Sequence, residues 1–446
     1  MPDDERAGYQ SRIGELEREV AALKKVVEEL LKRQRKEKRQ TTPFAREKEK
    51  PDKKKAGRPN GHEGDWRQTP DHVDEEVEAR LDGCPDCGNE VFDVEELIQF
   101  VVDLPEIRAH VLKILTERAW CPCCRRRVRS RHPRQVSKAG GAAAVALGPR
   151  AIALATELKH RQGMPYRDIA ELFGRYFQLP VSHGALVQTS VRLADKATGD
   201  YLSLVTQVQS SPLVATDDTG WRIARRCAWL WVFATDDVTL YVIDYRRSAS
   251  LVLDVLGEDF DGTVLSDGLP ALNALDEKGI DRAQCNGHII RRCREMALVQ
   301  TQGAVRFPRD LKQLLQDALE LGRVRHSLSA ATYDAAVGEV RQALSGLVSQ
   351  NFTHPDNLRL AKHVFRHQHA LLKFLENEAI PPTNNISERE LRGAVVARKI
   401  GGCHRAEPNA HAHAVLASLA QTAHRRGETL DHHVARWMYG TAGPPN

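Results

Sequence analysis

The chain has 446 residues, 41% of them hydrophobic, and a net charge of +5; this is long enough for two to four domains at roughly 100–200 residues each and too apolar for a disordered polypeptide. No apolar run reaches the ~18 residues a membrane span needs. The acidic opening Met1-Pro2-Asp3-Asp4-Glu5 lacks a signal-peptide core, so the expected location is the cytoplasm.

The positive charge is concentrated. Residues 32–58 hold 13 Lys/Arg against 4 Asp/Glu, and residues 125–134 hold six Arg. Such runs favour polyanionic partners more than the net charge does. Nine cysteines in a cytosolic chain point to metal ligands or buried thiols rather than a disulfide framework.

In chain order, residues 10–34 predict a coiled-coil helix. Ile13, Leu16, Val20, Leu23, Val27 and Leu30 form an a/d seam of under three heptads. It suits a homo-oligomer or a helix that packs within its own chain. Residues 35–75 read as a basic linker. Arg58, in Gly57-Arg58-Pro59-Asn60-Gly61-His62, can lie in an A·T minor groove, or the segment is an ordinary solvated linker.

Residues 76–136 predict a zinc ribbon. Cys84-Pro85-Asp86-Cys87 and Cys121-Pro122-Cys123-Cys124 each offer a C-x2-C pair, and two such pairs complete a zinc tetrahedron. Cys84, Cys87, Cys121 and Cys124 are the candidate ligands, Cys123 is spare, and a redox dithiol is the alternative. The long gap between the pairs calls for an inserted hairpin, for which Phe100–Leu104 and Val111–Leu115 are candidates. Arg125, Arg126, Arg127 and Arg129 follow the second pair at once and are candidate phosphate contacts.

Residues 145–205 read as helices, with Pro165-Tyr166 opening one and Ser182 capping the next. They suit a helix-turn-helix DNA reader or a plain helical connector. From residue 210 strands take over. Leu213–Thr216, Trp229–Phe233, Thr239–Ile243 and Gly262–Ser266 are expected strands, with a helix at 248–256 between the last two. A helix at 270–276, a short strand near 281–285 and a helix at 287–298 follow. The alternation implies an α/β core with a mixed sheet, in an α+β multidomain chain. Residues 308–378, 386–398 and 411–438 read as helical.

Two expected strands end in acids. Asp217 follows Leu213–Thr216, and Asp267 follows Val264-Leu265-Ser266. Glu388 opens a later helix. Three carboxylates at one point can hold two Mg²⁺ (or Mn²⁺) ions for phosphoryl transfer. Each acid also has an ordinary explanation: Asp217 and Asp267-Gly268 as turn residues, Glu388 as the capping-box partner of Asn385. Cys285 and His288 form a further candidate metal set with His363 and His367, unless Cys285 is simply a small buried apolar residue.

Taken together, these segments resemble the insertion-sequence-66 family of bacterial DDE transposases. The resemblance rests on Gly57-Arg58-Pro59-Asn60-Gly61-His62, the paired cysteine motif and the helical segment at Pro165-Tyr166-Arg167. It continues with Asp217-Asp218-Thr219, Leu265-Ser266-Asp267-Gly268, Cys285-x2-His288 before Arg291-Arg292, and Asn384-Asn385-x-x-Glu388-Arg389. It implies an RNase H-like α/β catalytic core at 210–300 and 380–402, a helical insertion at 301–379 and a helical tail at 403–446. It also implies Asp217, Asp267 and Glu388 as the metal-binding triad, with DNA, both transposon ends and target, as substrate. Accessory proteins of the same element are implied partners. His288, Arg389 and Arg392 are candidate DNA contacts beside the acids, and Arg392 is placed to pair with Glu388. Two positions depart from the family pattern: Asp218, where Glu is frequent, and Asn286-Gly287, where a bulky residue is usual. Two other activities fit the same features: a non-catalytic zinc-ribbon DNA-binding protein and a structure-selective nuclease.

Overall fold

The computed structural model describes residues 67–137 and 145–440. The predicted coiled coil, Arg58 and most of the linker lie outside them. The chain divides into two compact units, Met1–Leu104 and Pro105–Asn446.

In the first unit the described residues form no helix or strand. The second begins with a hairpin, β1 (Arg118–Cys121) and β2 (Arg126–Arg129). The hairpin expected from Phe100–Leu104 and Val111–Leu115 is not formed: neither segment is a strand, and Val101, Leu104, Val111 and Leu115 are exposed. β1 and β2, a few residues apart, pair with each other instead.

Helices α1 (Pro149–Thr156), α2 (Tyr166–Tyr176) and α3 (His183–Gln209) follow. Ser182 caps α3 as expected, its hydroxyl accepting from the Ala185 amide. α3 is longer than a reading helix requires, and Ala194, Ala197, Leu204 and Val208 bury its later turns in the main core.

The sheet has five strands: β3 (Leu213–Ile223), β4 (Arg226–Ala234), β5 (Thr239–Asp244), β6 (Thr263–Ser266) and β7 (Asp281–Gln284). Their order is β5-β4-β3-β6-β7. β3, β4 and β5 form an antiparallel meander, while β6 and β7 run parallel to β3. The crossover from the edge strand β5 to β6, which passes β4 and β3, carries α4 (Ala249–Leu256).

Strand alternation sorts the two faces. Val214, Trp231, Phe233, Leu240 and Val264 pack with α3, α4 and two later helices, α11 (Glu407–Arg425) and α12 (Leu430–Tyr439). The opposite face carries two clusters. Ala215, Leu265 and Ala283 pack against α6 (Asn286–Val299), α7 (Arg306–Arg323), α8 (Ala330–Val348) and α9 (Pro355–Glu376). Leu230, Val232 and Tyr241 pack against α10 (Asn385–Gly401) and α11. The expected helix at 270–276 is a 3-10 turn leading into the short α5 (Ala274–Glu277), and that at 411–438 breaks at Gly427, where φ is +72°.

The edge strand β5 is covered rather than bare. Thr422 and Ser418 of α11 accept from the Thr239 and Tyr241 amides at 3.0 and 2.8 Å, which removes the open edge.

Candidate active site

Register brings two of the acids together. β3 and β6 are parallel neighbours with Ala215 opposite Leu265. Two residues further along each chain, on the same side of the sheet, come Asp217 and Asp267. Asp217 lies opposite Val232 of β4, so it stands at the seam between the two clusters of that face. Asp218 alternates to the other face, where its buried carboxylate accepts from Arg247 Nε at 2.8 Å.

The expected strand stops before Asp217, but β3 continues to Ile223. The polar run Thr216–Gly220 reads as a turn in isolation, yet it is paired along its length with β4. The reversal comes at Ala224-Arg225, where φ is +47° and +71°, as a two-residue hairpin turn requires. The Ala224 amide, which donates to the His404 carbonyl at 3.0 Å, holds the turn in place.

Burial and the negative charge of Asp267 push the Asp217 carboxyl up to about 7, against the pull of the Asp218 amide and of His288. Asp267 Oδ1 accepts from the Leu269 amide at 3.1 Å, which turns the chain away after β6.

Glu388 arrives from the first turn of α10. Its position depends on Asn384, which is wholly buried. The Asn384 side chain donates to the Thr216 carbonyl at 2.9 Å, and its amide donates to Cys285 Sγ at 3.2 Å. Asn286, also buried, donates to the Leu371 and Pro382 carbonyls at 2.9 and 3.2 Å. These bonds fasten the start of α10 to β3, α6 and α9. His288, in the first turn of α6, completes the group with Nε2 3.7 Å from Glu388 Oε1. Contact with the Cys285 sulfur raises the His288 pKa, opposed by burial and assisted by the charges of Glu388 and Asp267. Donor atoms of Cys285, His288 and Glu388 lie within 4.8 Å of one another, and among the described residues no such group includes Asp217 or Asp267.

Other expected arrangements are absent. Among the described residues Glu388 pairs with His288 and not with Arg392. Arg389 and Arg392 instead line a neighbouring cavity of about 310 Å³ with His160, Arg161, Glu390 and His413. Asn384, not Asn385, stands at the N-cap, with no side-chain cap bond, so Glu388 is not a capping-box partner. Cys285 and His288 come together with Glu388 rather than with His363 and His367. His363 bonds to Gln284 at 2.8 Å, and its ring lies tilted against that of His367, 4.8 Å between ring centres.

The acids suit a hard divalent cation. Two neighbouring carboxylates carry uncompensated like charge, which a cation relieves. Thr216 Oγ1, Gln284 Oε1, Asn286 Oδ1, His288 Nδ1 and Asn384 Oδ1, all close by, are buried without a hydrogen-bond partner. Asn384 and Asn286 are the positioning residues that sequence reasoning missed. Their signal was their place in polar motifs flanking Cys285 and Glu388.

Each cysteine pair lies in its own unit, Cys84 and Cys87 in the first and Cys121 and Cys124 in the second. Gly88, at φ +74°, closes a turn by donating to the Cys84 carbonyl at 2.8 Å. The amides of Asp86 and Cys87 lower the Cys84 thiol, and the Cys124 amide, 3.4 Å from Cys121 Sγ, lowers that of Cys121. Such N–H···S turns favour thiolates. The β1–β2 ladder pairs Arg118 with Arg129 and Trp120 with Arg127, so one side of the hairpin presents three arginines and a tryptophan. Arg125 sits in its turn, and Arg126 faces the other side.

A family model described as "Transposase IS66 family" matches residues 144–412, more than half of the chain and all three acids. No curated protein matches.

Proposed function

The chain belongs to the IS66 family of transposases, and from that premise we propose that it cuts and joins DNA at insertion-sequence ends using Asp217, Asp267 and Glu388. What supports this reading is the parallel register that sets Asp217 and Asp267 side by side, together with the Asn384–Thr216 bond that ties the head of the Glu388 helix to β3. The strand order, three antiparallel strands followed by two parallel ones, is the arrangement expected of an RNase H-like core.

In this reading Asp217, Asp267 and Glu388 hold two Mg²⁺ or Mn²⁺ ions, which supply activation of the attacking oxygen and stabilisation of the leaving one. His288 contacts the scissile phosphate from the side of Glu388. Asn384 and Asn286 fix the start of α10 so that Glu388 meets the two aspartates. Arg247 neutralises Asp218 on the far face, leaving Asp217 to the metal side. Arg389 and Arg392 bind DNA backbone beside the acids, and Arg125, Arg126, Arg127 and Arg129 add sequence-independent phosphate affinity. Cys84 with Cys87, and Cys121 with Cys124, each offer a thiolate pair to structural zinc. The a/d seam of residues 10–34, outside the described residues, joins copies of the chain, and the protein works in the cytoplasm, with accessory proteins of its element as further partners.

A strand-transfer assay tests the reading against the two alternatives. With Mg²⁺ and duplexes carrying the element's own ends, the protein should nick at the ends and join the freed 3′-hydroxyl to target DNA. Cutting of branched DNA without joining would make it a structure-selective nuclease. Binding without cutting would make it a DNA-binding scaffold.

A further inference from the structure

The donor group around Glu388 is chemically mixed. One atom each from Cys285, His288 and Glu388 lie within 4.8 Å of one another. A thiolate and an imidazole contribute nothing that Mg²⁺ prefers; with a carboxylate they make a set that suits Zn²⁺ or Cd²⁺. We propose that Cys285, His288 and Glu388 form a second metal site for a thiophilic divalent cation, and that its occupation draws Glu388 away from Asp217 and Asp267 and arrests cleavage.

The geometry is near what such an ion needs. Bonds of ~2.0–2.3 Å put tetrahedral donors roughly 3.3–3.8 Å apart, and His288 Nε2 already lies 3.7 Å from Glu388 Oε1. The widest separation is at most 4.8 Å and must close by up to about 1 Å, which side-chain rotation can supply. Cys285 is fixed from behind: it is buried, and its sulfur accepts from the Asn384 amide at 3.2 Å. His288 Nδ1 is shut off from solvent without a hydrogen-bond partner. The side chains of His288 and Glu388 are 32% and 37% exposed, so the site opens to solvent on one side, through which an ion enters and a water completes the tetrahedron.

The site is separate from the paired cysteines at 84–87 and 121–124. Its inhibitory effect rests on the reading of Glu388 as a magnesium ligand; the binding itself does not. For Zn²⁺ over Mg²⁺ the divalent affinity order and the thiolate act in the same direction, so micromolar Zn²⁺ should prevail over millimolar Mg²⁺.

Cadmium-113 NMR of the full chain separates the two kinds of site by donor type. The wild type should show a mixed sulfur–nitrogen–oxygen resonance, distinct in shift from any all-sulfur one. Cys285→Ser and His288→Asn, checked for folding by thermal melts, should each lose the mixed resonance and keep any all-sulfur one. A wild type without the mixed resonance, or either folded variant retaining it, overturns the site. In the cleavage assay, each protein's rate is normalised to its own zinc-free rate. The zinc midpoint should rise at least about tenfold in Cys285→Ser, the loss expected for one ligand. An unchanged midpoint overturns the inhibition while leaving the binding result to stand alone, and absence of any wild-type cleavage counts against the proposed function, not against the site.

Discussion

The side-chain amide of Asn384 donates to the backbone carbonyl of Thr216 over 2.9 Å. Thr216 immediately precedes Asp217, and Asn384 stands at the head of the helix that carries Glu388. One buried hydrogen bond therefore ties the residue before Asp217 to the head of the helix that carries Glu388.

Replacing Asn384 with Leu removes that donor and leaves the Thr216 carbonyl buried and unpaired. The expected cost is about 1–3 kcal/mol of stability, read by thermal melting. Cleavage should fall well beyond what the stability loss explains, because Glu388 loses its anchor, while DNA affinity holds. Full cleavage by a folded Asn384→Leu protein would remove Asn384 from the positioning network.

Asp217 and Asp267 repel one another when no cation lies between them. Asp217 has its carboxyl raised to about 7, so at pH 8 it is ionised in both the folded and unfolded states and the full repulsion is present. In chelated protein at pH 8, Asp217→Asn should therefore raise the melting temperature by about 1 °C, the effect of ~1 kcal/mol in a chain of this size. Added Mg²⁺ should stabilise the wild type and leave the variant nearly unmoved. A variant that melts lower, or that gains as much from Mg²⁺, contradicts the repulsion.

A second buried group predicts acid sensitivity. His160 and His413 meet at 3.0 Å through their Nδ1 atoms, and His404 accepts from Trp221 Nε1 at 3.1 Å beside them. Burial lowers all three; the charge of Lys159 adds to this, and the pKa of His404 falls to about 4. Because folding depresses these values, the unfolded chain binds more protons between pH 6.5 and 4. Stability is complete above about pH 6.5 and is lost as pH falls towards 4, by roughly 2 kcal/mol at pH 5 from His404 alone. His404→Gln, which keeps an acceptor for Trp221, should shrink the difference in denaturant midpoint between pH 7 and pH 5. An undiminished difference would assign the acid loss to other groups.

Arg389 and Arg392 are assigned to DNA backbone. Each Arg→Gln change should weaken binding by a similar factor for all sequences and lower the salt slope of log K by ~0.9 for every phosphate that is no longer neutralised. A change confined to one sequence would make them base readers, and an unchanged slope would place them off the DNA.

Much of this site was legible in the sequence because strands and helix starts announce themselves by apolar runs and caps. The meander and the later strands appear where hydrophobic patterning put them. What stayed hidden depends on pairing between distant segments. Asp217-Asp218-Thr219-Gly220 has turn composition, and only its ladder with β4 makes it strand. The turn at Ala224-Arg225 lacks glycine or asparagine, so no local signal marks it. Asn384 and Asn286 are ordinary polar residues until tertiary contact buries them. Arg392 stands at helical spacing from Glu388, yet side-chain direction takes it to a different cavity.

The central claim is that Asp217, Asp267 and Glu388 act as one unit. Its most direct test is Mg²⁺-dependent cleavage of end-bearing DNA by Asp217→Asn, Asp267→Asn, Glu388→Gln and the triple variant, with DNA affinity measured alongside. The account predicts that each single change lowers the cleavage rate by about a thousandfold or more, that the triple change costs little beyond the singles, and that affinity stays near wild type. A folded single variant that cleaves within tenfold of wild type would contradict it.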